Sequence, residues 1–346
     1  MPRLIPIDGA VGEGGGQMLR TALALSAATG QGFQMTRVRA GRPRPGLRPQ
    51  HVACVRAAAL ACGARVGGAF DGSPDLRFEP GSIGQGVFRF EIATAGASTL
   101  LLQTVLPPLA TAGGPSRVEA TGGTHVPASP SFDYLARHWV AALEGLGLQA
   151  ALELVKAGFY PRGGGEIRAD VVPWRRPASL VLEDRGPLVS LRGVSGSARL
   201  KGDVARRQRD AAQALLWERR RLEVSWDMCE AVPSASPGSF LLLEAQFEKG
   251  RAAFAALGER GVRAEPLAER AARRLLKFLD AEGAVDPWLA DQLAVPIALA
   301  GGGGRVTTSE VTRHLQTVAD VMTLFGVRAR CFGMRGAAGG LEVERG

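Results

Sequence analysis

The sequence predicts an α/β fold, or more loosely α+β, in which short strands alternate with helices that cover the faces of the sheets. The spacing of apolar residues changes repeatedly between the period of a strand and that of a helix. Hydrophobic residues make up 46% of the 346 positions, which is enough to build a core and excludes a disordered tail protein. Glycine clusters recur at 11–20, 120–126 and 160–168, which indicates an internal repeat of roughly 80 residues.

The same periodicity gives the elements in chain order. The chain begins with a strand at 3–8, a helix at 16–30, a strand at 33–40, a helix at 48–63 and strand-like segments near 65–69, 75–79 and 86–92. The pattern then returns with a helix at 97–112, a strand at 116–122, a helix at 131–147 and strands near 149–155 and 165–172. These elements form the predicted repeats.

The composition changes between residues 185 and 280. Charged clusters such as RRQRD, WERRR and ERAARR appear there, together with the run AVPSASPGS. We therefore expect 185–280 to be an inserted smaller domain, and 1–184 together with 281–346 to form the large domain. Patterns of the first type resume after the insert, in PWLADQLAVPIALAGGGG, TRHLQTVADVMTLFG and VRARCFGM.

Several classes of protein are excluded or disfavoured. The chain has no uncharged apolar run of about 18 residues and no secretory signal pattern, so we expect a cytoplasmic protein with no membrane partner. The four cysteines form no C-x-x-C pair and the four histidines no H-x-H or H-x-x-x-H pair. A zinc site or a metal site built from histidines is therefore not expected.

The charge balance favours polyanionic partners. The net charge is +9, and the basic residues are 38 arginines and 4 lysines. The stretch 37–56 contains no acidic residue and is stiffened by prolines; its arginines are Arg37, Arg39, Arg42, Arg44, Arg48 and Arg56. Such guanidiniums could bind phosphate, with Gln50 and His51 orienting a phosphate or a ribose hydroxyl. A solvated basic loop is the alternative.

The loop at 9–17, GAVGEGGGQ, lies between a predicted strand and a predicted helix. Its amides and the start of the helix could hold a phosphate. It matches neither the P-loop, because no G-K-[ST] follows, nor the dinucleotide fingerprint, because Gln17 takes the place of the last glycine. Glu13 within this loop suggests a Mg²⁺ ligand beside the phosphate. A tight turn required only for packing is the alternative.

His314 lies at the predicted start of a helix, and either a structural or a nucleophilic role is open to it. The K-x-D-G motif of lysine adenylation is absent, and so is the G-x-S-x-G of hydrolases. The residues alone therefore leave the nucleophile undecided.

Five blocks occur in the order found in RNA 3'-terminal phosphate cyclases, and the chain resembles that family over essentially its whole length. The blocks are GEGGGQMLRTALALSAATG, RAGRPRPGLRPQHVACVRAA, GFYPRGGGEI, WLADQLAVPIALAGGG and RHLQTVADVMTLF. The resemblance implies three repeated units, each a four-stranded sheet with two helices, similar to the C-terminal domain of translation initiation factor three. A smaller α/β domain is inserted into them.

The resemblance also implies an activity. It is the ATP-dependent conversion of an RNA 3'-phosphate into a 2',3'-cyclic phosphodiester, with AMP and diphosphate released and with ATP and Mg²⁺ or Mn²⁺ as cofactors. His314 matches the histidine that takes up AMP, and Glu13 matches the metal-binding carboxylate. Residues matching positions that handle the triphosphate or the RNA end are Arg20, Arg39, Arg42, Gln50 and His51. Residues matching the nucleotide pocket are Gln103, Pro130, Trp288, Asp291 and Gln292.

Two positions depart from the family pattern, and two other functions compete. Trp288 stands where tyrosine is common, and Ala157 where a basic residue is usual. A non-catalytic cyclase-like factor in RNA processing or ribosome assembly would not need His314, Glu13 and the Arg39/Arg42 pair. An enolpyruvyl transferase offers no role for His314. The sequence leaves the cellular RNAs, the oligomeric state and the role of the insert open.

Overall fold

The computed structural model describes residues 3–174 and 179–345, and it confirms the predicted mixed α/β fold. The described strands form four separate sheets of four strands each. Residues 1, 2, 175–178 and 346, which belong to the predicted large domain, lie outside the described residues. None of the described helices is long and apolar enough to cross a membrane.

The first two sheets are formed by consecutive parts of the chain. The first unit consists of β1 (Ile5–Asp8), α1 (Gly16–Thr29), β2 (Phe33–Thr36), α2 (Pro49–Cys62), β3 (Arg65–Gly67) and β4 (Leu76–Glu79). The second consists of β5 (Gly86–Glu91), α3 (Ser98–Leu109), β6 (Ser116–Gly122), a helical segment at 134–146, β7 (Ala150–Lys156) and β8 (Gly165–Val171). The helical segment begins with a π-helical turn (Tyr134–Trp139), continues as α4 (Val140–Leu143) and ends with a 3₁₀ turn (Glu144–Leu146).

The third unit is interrupted after its first strand, β9 (Leu180–Leu182). The interrupting segment contains β10 (Leu188–Ala198), α5 (Val204–Arg220), β11 (Ser225–Cys229), β12 (Gly238–Phe247), β13 (Arg251–Leu257) and α6 (Ala264–Asp280). The unit then resumes with α7 (Pro287–Ala300), β14 (Gly304–Thr308), α8 (Arg313–Leu324), β15 (Ala329–Gly333) and β16 (Gly339–Val343).

The three units share one topology. In each, the first strand pairs in parallel with the second, and the fourth lies antiparallel between the second and the third. The interrupting segment has another order, β11-β10-β12-β13, so it is not a fourth copy of the repeat. This confirms the repeated units and the smaller inserted α/β structure, whereas the limits 1–184, 185–280 and 281–346 stay a prediction.

The main core lies where helices of the three units meet. Helix α1 packs against α2, α3, α7 and α8, and its Leu19, Leu23 and Leu25 are almost completely buried. One hydrophobic cluster extends through all three units, whereas the inserted segment has a core of its own around Leu216, Leu275 and Phe254. Because apolar helix faces join the units, the helix ends that meet there hold a fixed geometry.

One predicted strand is shorter than expected. Strand β2 ends at Thr36, whereas the sequence predicted a strand as far as residue 40. Arg37 and Arg39 adopt φ angles of 53° and 54°, in the left-handed region that a strand cannot contain. The backbone turns here and starts the arginine-rich loop.

Asp286 connects three parts of the molecule. Its fully buried carboxylate caps α7 by accepting hydrogen bonds from the amides of Trp288 and Leu289, at 3.1 and 3.0 Å. It also accepts from the Tyr134 hydroxyl at 3.0 Å and from the Ala253 amide of β13 at 3.2 Å. The ring Nε2 of His138 lies 2.7 Å from it. The second unit, the third unit and the inserted segment therefore meet at one carboxylate.

We expect Asp286→Ala to lower the free energy of unfolding by about 3–5 kcal/mol, because it leaves several buried donors without an acceptor. Urea unfolding followed by circular dichroism measures this change. Asp203→Ala is the matched control, since Asp203 precedes α5 but its side chain makes no capping hydrogen bond. That control is expected to change stability by no more than about 0.5 kcal/mol. Equal effects of both variants would contradict the connecting role of Asp286.

Candidate active site

A cleft of about 540 Å³ opens where the helix ends of the units meet the inserted segment. It brings together predicted residues that are far apart in the sequence, namely Arg20, Gln103, Pro130, Trp288, Asp291, Gln292 and His314. The inserted segment contributes one wall, formed by the end of β13 and one side of α6. Of the other predicted residues, Glu13 contacts His314, Arg42 contacts Glu13, and His51 lies beside Arg20, whereas Arg39 and Gln50 do not line the cleft.

The glycine-rich loop between β1 and α1 leaves room for functional side chains. A Cβ atom on Gly15 would lie 2.4 Å from Oε1 of Glu13 and 2.7 Å from the guanidinium of Arg42. A Cβ on Gly16 would lie 2.5 Å from Nε2 of His51 and 2.8 Å from the guanidinium of Arg20. Real Cβ atoms do not approach other atoms so closely, so only glycine at 15 and 16 allows these side chains to occupy their places.

Glu13 and His314 form the centre of the site. Nδ1 of His314 lies 3.0 Å from Oε2 of Glu13, and the Glu13 side chain is only 13% exposed. Oε1 of Glu13 accepts from Arg42, so the carboxylate lies between two basic groups. No residue in the described ranges forms a hydrogen bond with Nε2 of His314, which lines the cleft. The second ring nitrogen is thus left available to a ligand.

The first turn of α8 holds His314 in place. Thr312 caps this helix by accepting from the Leu315 amide at 3.0 Å. Arg313 donates to the Gly12 carbonyl, and the Thr317 hydroxyl accepts from the Glu13 amide at 3.0 Å. The glycine-rich loop of the first unit and the helix start of the third unit are therefore tied together, and this fixes Glu13 against His314.

The Glu13–His314 contact shifts the titration of both groups. Glu13 raises the pKa of His314 above its ordinary value of 6.5, although burial opposes this. Burial raises the pKa of Glu13, but the contact with His314 and the charges of Arg42 and Arg20 outweigh it, so the pKa of Glu13 is lowered. Glu13 is therefore anionic at neutral pH, and it favours the proton on Nδ1 of His314.

The environment of His51 lowers its pKa, whereas that of His314 raises the pKa. Its Nδ1 accepts a hydrogen bond from the Arg48 amide at 3.0 Å, so the hydrogen of the neutral ring is on Nε2. Burial, together with the charges of Arg20, Arg39 and Arg48, lowers its pKa to about 3. His51 is therefore a neutral hydrogen-bond donor at physiological pH, directed towards Gly16 and Arg20.

The arginine-rich loop is only partly available to an anion. Arg37 pairs with Asp8, and Arg48 pairs with Asp71 at 3.3 Å. Arg39 donates to the carbonyls of Arg44 and Gly46, at 2.8 and 2.9 Å, and so holds the loop closed on itself. The predicted funnel of six guanidiniums is thus wrong in part, because Arg37, Arg42 and Arg48 are neutralised by acids outside the run, Arg42 by Glu13.

The predicted nucleotide pocket has an apolar end and a polar end. Trp288 is 37% exposed, packs its edge against Phe254 and has the Arg274 guanidinium 5.6 Å from its ring centre. The amide of Gln103 donates to Gln292 at 2.6 Å. The carbonyl of Pro130 accepts from the Thr99 hydroxyl at 2.9 Å, which fixes the loop that carries this proline. The pocket thus combines a ring for stacking with amides for hydrogen bonding.

Asp291 lies between the pocket and the Glu13–His314 centre. Burial raises its pKa to about 7, although the charges of His314 and Arg20 act in the other direction. Arg20 also donates to Gln17 at 2.6 Å. A carboxyl that titrates near neutrality beside a histidine is typical of a functional site.

Glu13 fits a cation that is held mainly by phosphate groups. Its Oε2 is buried and has no hydrogen-bond partner of good geometry within residues 3–174 and 179–345. The described residues contain no group of three or more His, Cys, Asp or Glu that could hold a metal. Mg²⁺ commonly binds one or two carboxylates and completes its shell with water and substrate phosphates, and a buried carboxylate oxygen that contacts only the His314 ring among the described residues suits that mode.

Sequence reasoning missed the wall provided by the inserted segment. Glu259, Arg270 and Arg274 line the cleft, and the two arginines lie four positions apart on α6, a spacing that could have indicated a shared face.

Gln50, although predicted, makes no side-chain hydrogen bond with any described residue. Ala157, the departure from the family pattern, is buried in a hydrophobic cluster with Phe159, so it offers nothing to a phosphate.

Comparisons with known proteins agree on one family. The family model described as RNA 3'-terminal phosphate cyclase matches residues 11–331. A protein of that name from Ralstonia nicotianae is 46% identical over 322 residues, covering 93% of this chain and 91% of the relative. Another from Salmonella typhimurium is 42% identical, covering 96% of both chains. The enolpyruvyl transferase NikO from Streptomyces tendae, 10% identical over 99% of this chain and 48% of its own, reaches a TM-score of only 0.38, which supports no argument.

The two histidines are expected to titrate differently. In an NMR pH titration of the ring signals, His51 should not titrate between about pH 5 and 8, whereas His314 should titrate with a pKa above 6.5. Glu13→Gln should lower the pKa of His314, because it removes the anion that favours the imidazolium. Glu310→Gln, close in sequence but paired with Lys277, should leave that pKa unchanged. An unchanged His314 titration in Glu13→Gln would contradict the coupling.

Proposed function

Because the chain belongs to the RNA 3'-terminal phosphate cyclase family, we propose that it converts an RNA 3'-phosphate into a 2',3'-cyclic phosphodiester with ATP, through an adenylate on His314. The observation that carries this proposal is the Glu13–His314 pair at the edge of the cleft. Glu13 binds Nδ1, so the lone pair of the neutral ring is on Nε2. A cavity large enough for a nucleotide begins there.

In the first step, Nε2 of His314 attacks the α-phosphorus of ATP, and diphosphate leaves as the bond to the β-phosphate oxygen breaks. The ring retains its proton on Nδ1 and becomes a cation, which the Glu13 carboxylate stabilises. Arg20 and Arg42 lie beside the reacting phosphate and neutralise charge that moves to the leaving group. Since the attacking ring must be neutral, the rate of this step should rise with pH through the raised pKa of His314.

In the second step, an oxygen of the RNA 3'-phosphate attacks the same phosphorus, and the bond to Nε2 breaks. The neighbouring 2'-hydroxyl then attacks the RNA phosphate, loses its proton and expels AMP. His51 is a neutral donor throughout, so it can hydrogen-bond a phosphate oxygen without taking its proton. Arg39 and Gln50 are the other proposed contacts of the RNA end.

The protein side of the metal site is a single carboxylate. Glu13 would hold Mg²⁺ through Oε2, whose two lone pairs allow contact with both the cation and Nδ1 of His314. When bound, Mg²⁺ would neutralise charge on the phosphates and orient the diphosphate for departure. Asp291, with a pKa of about 7, is partly ionised at neutral pH, and its charge adds to that of Glu13 in raising the pKa of His314.

The adenosine is assigned to the opposite part of the cleft. Trp288 and Pro130 would enclose the base, as a tyrosine would at position 288, because stacking requires the ring and not the hydroxyl. The side chains of Gln103 and Gln292 form a hydrogen bond with each other. When the nucleotide binds, this hydrogen bond would be replaced by hydrogen bonds from the two amides to the nucleotide. A non-catalytic relative would need none of this arrangement, and so we favour the enzyme.

The test is incubation with Mg²⁺ and ATP labelled at the α-phosphate. The protein should acquire an acid-labile, base-stable adenylate, because a phosphorus–nitrogen bond to histidine forms. His314→Asn should abolish the label, whereas the control Asp320→Asn, an exposed change on the same helix, should retain it. Folded wild-type protein that stays unlabelled would favour the non-catalytic alternative.

A second test concerns the RNA substrate. The wild-type protein should cyclise RNA with a 3'-phosphate, and equal processing of RNA with a 3'-hydroxyl would exclude the proposed substrate.

The base pocket gives a separate expectation. Trp288→Ala should raise KM for ATP about tenfold, because it removes the stacking surface, with a smaller effect on kcat. Trp288→Tyr should stay within about twofold of the wild type, since a ring is retained. Steady-state cyclisation at varied ATP measures both. A Trp288→Tyr variant as impaired as Trp288→Ala would show that stacking is not the role of this position.

A further inference from the structure

The loop between β7 and β8 exposes an aromatic ring and a guanidinium. Tyr160 is 67% exposed although it is one of only two tyrosines in the chain, and Arg162 beside it is also exposed. Within the described residues, Arg162 forms no ion pair and the Tyr160 hydroxyl forms no hydrogen bond. Neither group lines the nucleotide cleft or supports a core. Two large side chains are therefore exposed at this surface, and among the described residues neither their hydroxyl nor their guanidinium has a hydrogen-bond or ion-pair partner.

The glycines that follow bring this loop close to the site. Gly163 and Gly164 have φ angles of 66° and 70°, which favour glycine. A Cβ on Gly163 would lie 2.8 Å from the Cα of Ala95, so the loop rests directly on the turn at 94–96. The YPRGGG motif is thus explained by a close approach between two backbones.

The turn at 94–96 leads in turn to Gln50. A Cβ on Gly96 would lie 2.9 Å from Cβ of Gln50, which precedes His51 on α2. With consecutive Cα atoms 3.8 Å apart, two such contacts place the loop on the order of 10–15 Å from Gln50. If the RNA 3' end is bound at Gln50 and His51, the loop is too far away to contact that end. It is at a suitable distance to contact the nucleotides that precede the end.

The charge of the neighbouring arginine-rich loop favours a polyanion. Arg44 of this loop is exposed and forms no ion pair among the described residues, whereas Arg42 is partly exposed and already pairs with Glu13. The turn at 94–96 contributes only Thr94, Ala95 and Gly96, none of them acidic. An aromatic face beside guanidiniums is the combination with which proteins bind single-stranded nucleic acid, by base stacking and phosphate contacts.

We propose that Tyr160 and Arg162 form a second RNA-binding site, which holds the single-stranded nucleotides preceding the 3'-phosphate. The proposal rests on the proposed function for its ligand. Tyr160 stacks on a base without selecting it, and Arg162 binds a backbone phosphate. The site therefore adds affinity for the strand without adding sequence preference, and substrates too short to reach it do not benefit.

The experiment measures binding and catalysis separately. Fluorescence anisotropy with a labelled single-stranded RNA of about ten nucleotides ending in a 3'-phosphate gives Kd for the wild type and for the double variant Tyr160→Ala/Arg162→Ala. We expect Kd to rise about tenfold, and to rise less steeply with salt in the variant. Tyr160→Phe alone should bind as the wild type does. Trp217→Ala/Arg221→Ala is the matched control, because this exposed tryptophan and arginine stack on each other at the C-terminal end of α5, outside the cleft.

Labelling with ATP in the absence of RNA distinguishes failure of this proposal from failure of the proposed function. The double variant should acquire the adenylate as the wild type does, and it should cyclise a dinucleotide 3'-phosphate with unchanged KM while KM for the ten-nucleotide RNA rises. An unchanged Kd for that RNA would overturn the second site, whatever the adenylation result. A wild type that binds the RNA through Tyr160 but forms no adenylate would overturn the proposed function and leave the site standing.

Discussion

The buried carboxylate of Asp286 is the constraint on which the rest of the site depends. It accepts hydrogen bonds from two amides of its own helix start, from a tyrosine of the second unit and from a strand of the inserted segment. Such a group is stable only when its donors remain in place, because an unpaired charge in the interior is costly. The helix that carries Trp288, Asp291 and Gln292 is therefore fixed relative to the opposite walls of the cleft.

The sequence allowed the repeated α/β units and the residues around the cleft to be predicted, because periodicity and five motif blocks are local signals. Asp286 could not be predicted, since its partners Tyr134 and His138 lie 152 and 148 positions away. The neutralisation of Arg37, Arg42 and Arg48 was missed for the same reason, as Asp8, Glu13 and Asp71 lie outside the acid-free run. The early end of β2 depends on two left-handed arginines, which no pattern of hydrophobicity indicates.

Two histidines of the site show how position determines chemistry. His51 is buried among three arginines and stays neutral, whereas His314 faces Glu13 and favours the cation. In both rings one nitrogen is engaged by the protein, by the Arg48 amide in one and by Glu13 in the other. The protein thus favours one tautomer of each ring, which leaves Nε2 of His51 able to donate a hydrogen bond and Nε2 of neutral His314 with a free lone pair.

The interruption of the third unit has a consequence for the chain entropy of its strand pairing. Strand β9 is synthesised about 120 residues before β14, its parallel partner, and closing a flexible loop of that size would cost about 4 kcal/mol in chain entropy. The amides of Lys249 and Gly250 bind the Arg185 carbonyl, and the Arg251 amide binds that of Ala284. The turn at 249–251 thus binds both the segment that enters the insert, at Arg185, and the segment that leaves it, at Ala284. The inserted segment, packed around its own core, holds the two separated parts of the third unit close together, so that their pairing in the folded state closes a much shorter gap than the sequence separation suggests.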